Sequence, residues 1–296
     1  MKINYLKIFT IQIILFLFAL AGLAEQKLII SAIPDQNPEK LNRLYKLLST
    51  ELSNNLNIPV EYKPVINYAA AVSAFKTGDL DLVWFGGLTG VQARLQKKGA
   101  IVIAQRDIDK QFRSVFIASK KSKTPKLKKI SDLKILAGKR FTFGSVSSTS
   151  GRLMPQYFLE KAGVKIKDFK GGTAGFSGSH DATIALVQSG SYDVGALNEQ
   201  VWLSNLNRGR INLSKVNVIW RSPSYADYHW LAQPNLDKEF GIGVTEKIKE
   251  TFLKLDKKND NHRKILDLFG ANKFIPSELN QYTKIEIIGR KLGKIK

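Results

Sequence analysis

Residues 67–86, NYAAAVSAFKTGDLDLVWFG, align without a gap to residues 179–198, SHDATIALVQSGSYDVGALN, at a fixed offset of 112. No other feature restricts the fold as much. Each copy reads as a short helix closed by a glycine, Gly78 or Gly190, then an aspartate and a strand, DLVWF or DVGAL. Ala71, Val72 and Phe75 in the first copy, and Ile184, Leu186 and Val187 in the second, fall near helical spacing. The parallel extends upstream. KLIISAIPD leads into NPEKLNRLYKLLSTELSNNL and IPVEYKPV, as KRFTFGS leads into STSGRLMPQYFLEKAG and VKIKDFKGG. Each half is then strand, helix, strand, helix, strand, which predicts parallel α/β sheets in two similar lobes.

A chain of 296 residues accommodates two lobes of ordinary size. Lys2 and Lys7 precede a largely apolar run from Ile11 to Leu20 that ends in Gly22-Leu23-Ala24, the pattern of a signal peptide cleaved near Ala24. The run is short for a membrane span, which takes about 20 residues. There is no cysteine, which excludes a lipid-modified Cys anchor, disulfides and thiolate metal sites. The expectation is an exported, periplasmic protein with residues 1–24 as leader, 25–117 and 224–296 as lobe 1, and 118–223 as lobe 2. The crossings fall at SVFIAS and RSPSYAD. The formal charge is +21, and +19 without the two leader lysines, a field that favours anionic partners. Much of it lies in solvated runs such as KKSKTPKLKK (120–129). No nucleic-acid motif or stacking aromatics accompany the charge, so nucleic acid is not the expected partner.

Ligands of open parallel sheets sit beyond the carboxyl ends of the strands, where the next helices begin. In two facing lobes those ends share one cleft. They comprise Ile33 to Gln36, Asn67 and Tyr68, Trp84 to Gly87, Ser145 to Gly151, Ser179 to Asp181, and Asn198 with Glu199. At one of them, Ser148, Thr149, Ser150 and Gly151 stand between a strand and a helix. Small hydroxyls and free N–H groups at a helix N-terminus cradle an oxyanion. A single hydroxyl suffices for an N-cap, and three in succession exceed that need. Pro155 implies either an irregular first turn or a regular helix that starts near Met154.

The strings NYAAAV, DLVWFGGLT, SSTSGRLMP, SHDATIALVQSG and WRSPSYADYHW, with the late GANKFIPSELNQYTKIEIIGRKLG, resemble the periplasmic phosphonate- and phosphite-binding proteins of ABC transporters. The resemblance covers nearly the whole chain after the leader. It implies an α/β, two-lobed periplasmic binding protein fold of type II that closes on a ligand in the interlobe cleft. It also implies an ABC permease as partner, with the binding protein expected as a monomer. The family's ligand positions fall on Tyr68, Ser148, Thr149, Ser150, His180 and Asp227. Aminoalkylphosphonate binders of the family tend to carry a Tyr where this chain has Phe85, and an acidic residue near Glu199 or Gln200. Phe85 cannot hydrogen-bond an amine, so the expected ligand is a small phosphorus oxyanion, phosphite, methylphosphonate or a related phosphonate.

A carboxylate such as Asp227 beside an anion repels it unless a proton is shared. Phosphate-type groups keep a P–OH near neutrality, with a second pKa of about 6, whereas sulfate and selenate carry no such proton. These and phosphate are the alternative oxyanions. A phosphoester or phosphonate hydrolase is the alternative of another class, since Ser148, His180 and Asp181 supply the residue types of a triad. Against it, no Gly-x-Ser-x-Gly elbow is present, and Asp181 directly follows His180 on a helix start. A non-enzymatic binding protein without cofactor or metal is the expectation. His229 and His262 are expected to be structural or exposed.

Overall fold

The computed structural model describes residues 26–296; the expected leader, residues 1–24, lies outside them. The first sheet opens with β1 (Leu28–Ala32), β2 (Val60–Tyr62) and β3 (Leu82–Phe85), all parallel, and also takes β4 (Ile101–Val102). After the short β5 (Ala104–Arg106) the chain leaves this lobe. The second sheet holds β6 (Ser114–Ser119), β7 (Phe141–Phe143), β8 (Gly175–Phe176), β9 (Val194–Asn198) and β10 (Val216–Arg221). The chain then returns with β11 (His229–Ala232), and β12 (Phe274–Pro276) pairs with β5.

The two sheets have one topology. Their orders are β2-β1-β3-β11-β4 and β8-β7-β9-β6-β10, so in each the strand beside β3 or β9 is the first one made after a crossing. Those two strands, β11 and β6, run antiparallel to their neighbours. The sheets are therefore mixed, not purely parallel as the helix–strand alternation predicts. A chain arriving from the other lobe enters at the cleft edge, where β3 and β9 end, and can only run away from it.

The repeat persists in detail. Helices Tyr68–Thr77 and His180–Ser189 start on Asn67 and Ser179 caps and stop at Gly78 and Gly190. Both glycines adopt φ near +90°, at +91° and +86°, which disfavours residues with a Cβ. Asp81 accepts the Ile29 N–H at 2.7 Å and Asp193 the Arg140 N–H at 2.9 Å, so the aspartate of each copy ties the same neighbouring strand. Beyond the repeat, helix Pro38–Leu56 begins on an Asn37 cap with proline in its first turn. It buries Leu41, Leu44, Leu48 and Leu52 against helices Val244–Leu253 and Asp260–Phe269. Such a side chain contributes about 1.5–3 kcal/mol when fully buried.

Two sequence-based placements move. VKIKDFKGG, expected as a strand, forms 3-10 turns at Ile166–Asp168 and Lys170–Gly172, and the edge strand comes later, at Gly175–Phe176. The Asp168 carboxylate accepts the Lys165 N–H at 2.7 Å and closes a turn in place of a ladder. SVFIAS, expected at the first crossing, is β6 and is bonded along its length into the second sheet, so the chain passes between sheets ahead of it. The two crossing segments pair with each other. Phe112 and Tyr225 exchange backbone bonds of 2.9 and 3.0 Å, and Asp227 N–H donates to the Asp109 carbonyl at 3.1 Å. Beside them the buried Arg106 guanidinium makes a two-pronged bond to Asp109, at 2.8 and 2.7 Å. It also lies 4.9 Å from the Tyr228 ring centre.

Candidate functional site

The hydroxyl segment does not begin as an ordinary α-helix. Thr149–Leu153 is a wide π turn, and regular helix runs from Met154 to Lys161, so both consequences expected from Pro155 occur together. Leu153 N–H reaches back to the Ser148 carbonyl at 2.9 Å, and Met154 N–H to that of Thr149. Proline has no N–H to continue this pattern, and the Ser150 carbonyl instead accepts from Ser114 Oγ at 2.8 Å. The turn is thereby fixed from outside.

Ser148 Oγ accepts the Gly151 N–H at 2.9 Å, the cap of this turn. A Cβ on Gly151 would lie 3.0 Å from Ser148 Oγ and 3.1 Å from His180 Cε1, so the imidazole rests on the turn. Thr149 Oγ1 crosses to the other lobe and accepts the Leu88 N–H at 2.9 Å. Asp227 Oδ1 accepts the adjoining Gly87 N–H at 2.8 Å. These two oxygens cap helix Gly87–Gln96, whose own N-cap residue, Gly86, has no side chain to do so. A Cβ on Gly86 would meet both, at 3.2 and 3.3 Å, and would meet Ile33 Cδ1 at 3.5 Å. Tyr68 Oη faces Ser148, and Ser150 Oγ lies beside Tyr225, each without the geometry of a hydrogen bond. All six positions carried by the resemblance thus come together where the lobes meet.

Three of the six present a buried polar atom with no partner: Tyr68 Oη, Ser150 Oγ and Asp227 Oδ2. Buried polar groups are ordinarily paired, and the unpaired atoms of these three residues are the polar groups left over for a ligand among the six. Burial pushes the Asp227 carboxyl up to about 7, with Asp109 adding repulsion against the Gly87 N–H, the Thr149 hydroxyl and Arg106. Burial holds the His180 imidazole down to about 4, so the ring is neutral.

His180 Nδ1 accepts the Asn198 N–H at 3.4 Å, which places the ring proton on Nε2, 3.3 Å from Tyr228 Oη. Both bonds are long. Tyr228 Oη donates to Asp35 Oδ2 at 2.9 Å and accepts from Asn198 Nδ2 at 3.1 Å. Burial raises Asp35 to about 6 against the Tyr228 bond. Asp35 and Asn198 lie among the strand-end positions, but nothing in the sequence singles them out. Tyr228 was legible only as part of an aromatic crossing segment.

Other candidates fall outside the cluster. Phe85 is buried in the lobe 1 core, edge-on to Phe75 at 5.7 Å. Glu199 pairs with Arg221 at 2.6 Å and lines a groove of about 880 Å³ between Asp107–Arg113 and helix Glu199–Asn207, which none of the six enters. His229 is buried, with its ring centre 4.0 Å from that of Tyr282, and His262 Nε2 pairs with Glu51 at 3.1 Å. The Asp181 carboxylate bonds Asn37 and Asn205, not His180, so the residues of a triad are not aligned as one. Among the described residues no cluster of metal ligands occurs, and no helix is long and apolar enough to cross a membrane.

Residues 30–282 match the family model of the periplasmic phosphonate substrate-binding protein of ABC transporters. The chain belongs to this family. It is 57% identical over 267 residues to a probable ABC transporter phosphite binding protein, PhnD1, of Prochlorococcus marinus (strain MIT 9301), covering 90% of each chain. The solved structure of that PhnD1 in complex with methylphosphonate superposes with a TM-score of 0.89 over 92% of this chain and 100% of the other. The phosphate-import protein PhnD of Mycolicibacterium smegmatis is 26% identical, over 75% of this chain and 70% of its own. The fold is accordingly the two-lobed type II fold of periplasmic binding proteins.

Proposed function

We propose that this protein captures a small phosphorus oxyanion bearing one proton, phosphite or methylphosphonate, in the interlobe cleft and presents it to an ABC permease. The observation that carries the reading is Asp227 Oδ2, a buried carboxylate oxygen without a partner where the lobes meet, close enough to the likewise unpaired Tyr68 hydroxyl for the two to interact electrostatically. In this reading Tyr68, Ser148, Thr149 and Ser150 donate to the oxyanion with the free amides of the π turn, and His180 donates by giving up its long Nε2 contact with Tyr228. Asp227 accepts the one ligand proton. Ser148 Oγ already accepts the Gly151 N–H, so its hydroxyl hydrogen is the part it offers a ligand, and the Thr149 hydroxyl, which favours the charged Asp227 carboxylate, turns to the ligand when that carboxylate takes the ligand proton. The ligands attributed to the marine relative, phosphite and methylphosphonate, fit this chemistry.

The same proposal covers export, with cleavage near Ala24, and action as a monomer. It also covers binding without catalysis, since burial holds His180 down to about 4, a weak base near neutrality, and the neighbouring Asp181 carboxylate bonds Asn37 and Asn205 instead. Isothermal titration of the mature protein with phosphite, methylphosphonate, phosphate and sulfate tests the reading. One site per chain for phosphite or methylphosphonate, with weak sulfate binding and no turnover of phosphate esters, is expected. Equal affinity for sulfate contradicts it.

A further inference from the structure

The lobes also touch at a point that the oxyanion cluster does not use. Asp181 is the second residue of helix His180–Ser189, and its Oδ2 accepts the backbone N–H of Asn37 from lobe 1 at 2.7 Å. Its Oδ1 accepts Asn205 Nδ2 at 2.7 Å, and the same Nδ2 donates to the Val201 carbonyl at 2.9 Å. The carboxylate is thus braced within its own lobe and grips a backbone donor of the other. Asn37 caps helix Pro38–Leu56, so the partial positive charge of that N-terminus adds to the attraction. Next to it, His180 N–H donates to the Asp35 carbonyl at 3.0 Å.

The internal repeat isolates the feature. Asp181 aligns with Ala69, and helix Tyr68–Thr77 has no acidic residue in its first turn. An acid near a helix start favours its own helix, but that role needs neither Asn37 nor Asn205.

We propose that Asp181 is a closure latch, a positioning residue that touches no ligand and sets how long the closed lobes retain it. The inference rests on the reading of a cleft that closes on its ligand. The Asn37–Asp181 bond joins two bodies that separate when the cleft opens, so it stabilises only the closed form. Escape of the ligand requires opening, whereas encounter takes place on the open form. Loss of the latch therefore appears in the dissociation rate.

The test is stopped-flow kinetics of methylphosphonate binding to wild type, Asp181→Ala, Asn37→Pro and the double variant. Asn37 has φ −55° and ψ 128°, a backbone that proline adopts, so Asn37→Pro removes the donor; it also removes the side-chain cap on the Lys40 N–H, a cost that the unliganded melting temperature reads separately from the dissociation rate. Asp181→Ala is expected to dissociate about tenfold faster, the scale of one lost charge-assisted bond, with association within about twofold of wild type. The unliganded melting temperature should stay within about 2 °C. In the double variant the two effects on dissociation should not add, because each removes the same bond. An unchanged dissociation rate in Asp181→Ala, fully additive effects, or a loss confined to association and unliganded stability overturns the latch while leaving the binding function in place. A wild-type protein that binds neither phosphite nor methylphosphonate overturns the functional reading and the latch with it.

Discussion

The two copies of the repeat place Tyr68 and His180 at equivalent helix starts, yet their surroundings differ in kind. Tyr68 Oη is buried without a partner, and its lobe adds a carboxylate, Asp227, from the return crossing. His180 is held by Asn198 and Tyr228, and its lobe adds a row of hydroxyls on a π turn. One scaffold thus builds an acceptor-bearing half-site and a donor-rich half-site. On the proposed reading the difference teaches that selectivity for a protonated anion needs both, since neither alone offers donors and one acceptor to a tetrahedral ligand.

The largest expected effect comes from erasing the contrast at Asp227. Asn in its place keeps an oxygen for the Gly87 N–H but turns the free oxygen into a donor. Competition calorimetry should find the phosphite-to-sulfate preference lowered about tenfold or more, since one misplaced buried partner costs roughly 1–3 kcal/mol. An unchanged ratio makes Asp227 a helix cap only.

The next effect compares unpaired hydroxyls on the two sides. Tyr68→Phe and Ser150→Ala should each weaken methylphosphonate binding by about 1–2 kcal/mol with little change in melting temperature, because each group bonds nothing else. Ser148→Ala differs: it also removes a cap, so about 0.5–2 kcal/mol of stability should go with the affinity. Equal melting temperatures for Ser148→Ala and Ser150→Ala contradict the distinction. Smallest of all, Glu199→Gln breaks a partly exposed pair with Arg221 away from the cluster, and binding should change by less than about 0.5 kcal/mol. A larger loss would bring Glu199 into the site.

The contrast was only partly legible in the sequence. Helix starts, glycine stops and the aspartate before each repeated strand follow from local chemistry, so the repeat exposed Tyr68 and His180. The direction of β6 and β11 depends on where a chain re-enters a lobe, which no local pattern records. VKIKDFKGG alternates like a strand, and a single aspartate bond makes it a turn. Asp227 stands in the aromatic crossing, and resemblance marks it as a ligand group. Its second duty as a cap for Gly87 depends on a residue 140 positions away. The Asp35–Tyr228–Asn198 network likewise joins three segments that meet only in the folded chain.

The central claim, a proton shared between Asp227 and the ligand, is tested most directly by proton uptake on binding. Asp227, raised to about 7, and a free phosphonate with its second ionisation near neutrality are both largely deprotonated well above pH 8. A complex that holds one proton between them must then take it from solution, and the dissociation constant should rise about tenfold per pH unit in that range. Titration calorimetry with methylphosphonate at about pH 8.5, repeated in two buffers of different ionisation enthalpy, measures this. The account predicts uptake of close to one proton per ligand bound in wild type, and much less in Asp227→Asn. Full affinity with no proton uptake contradicts it.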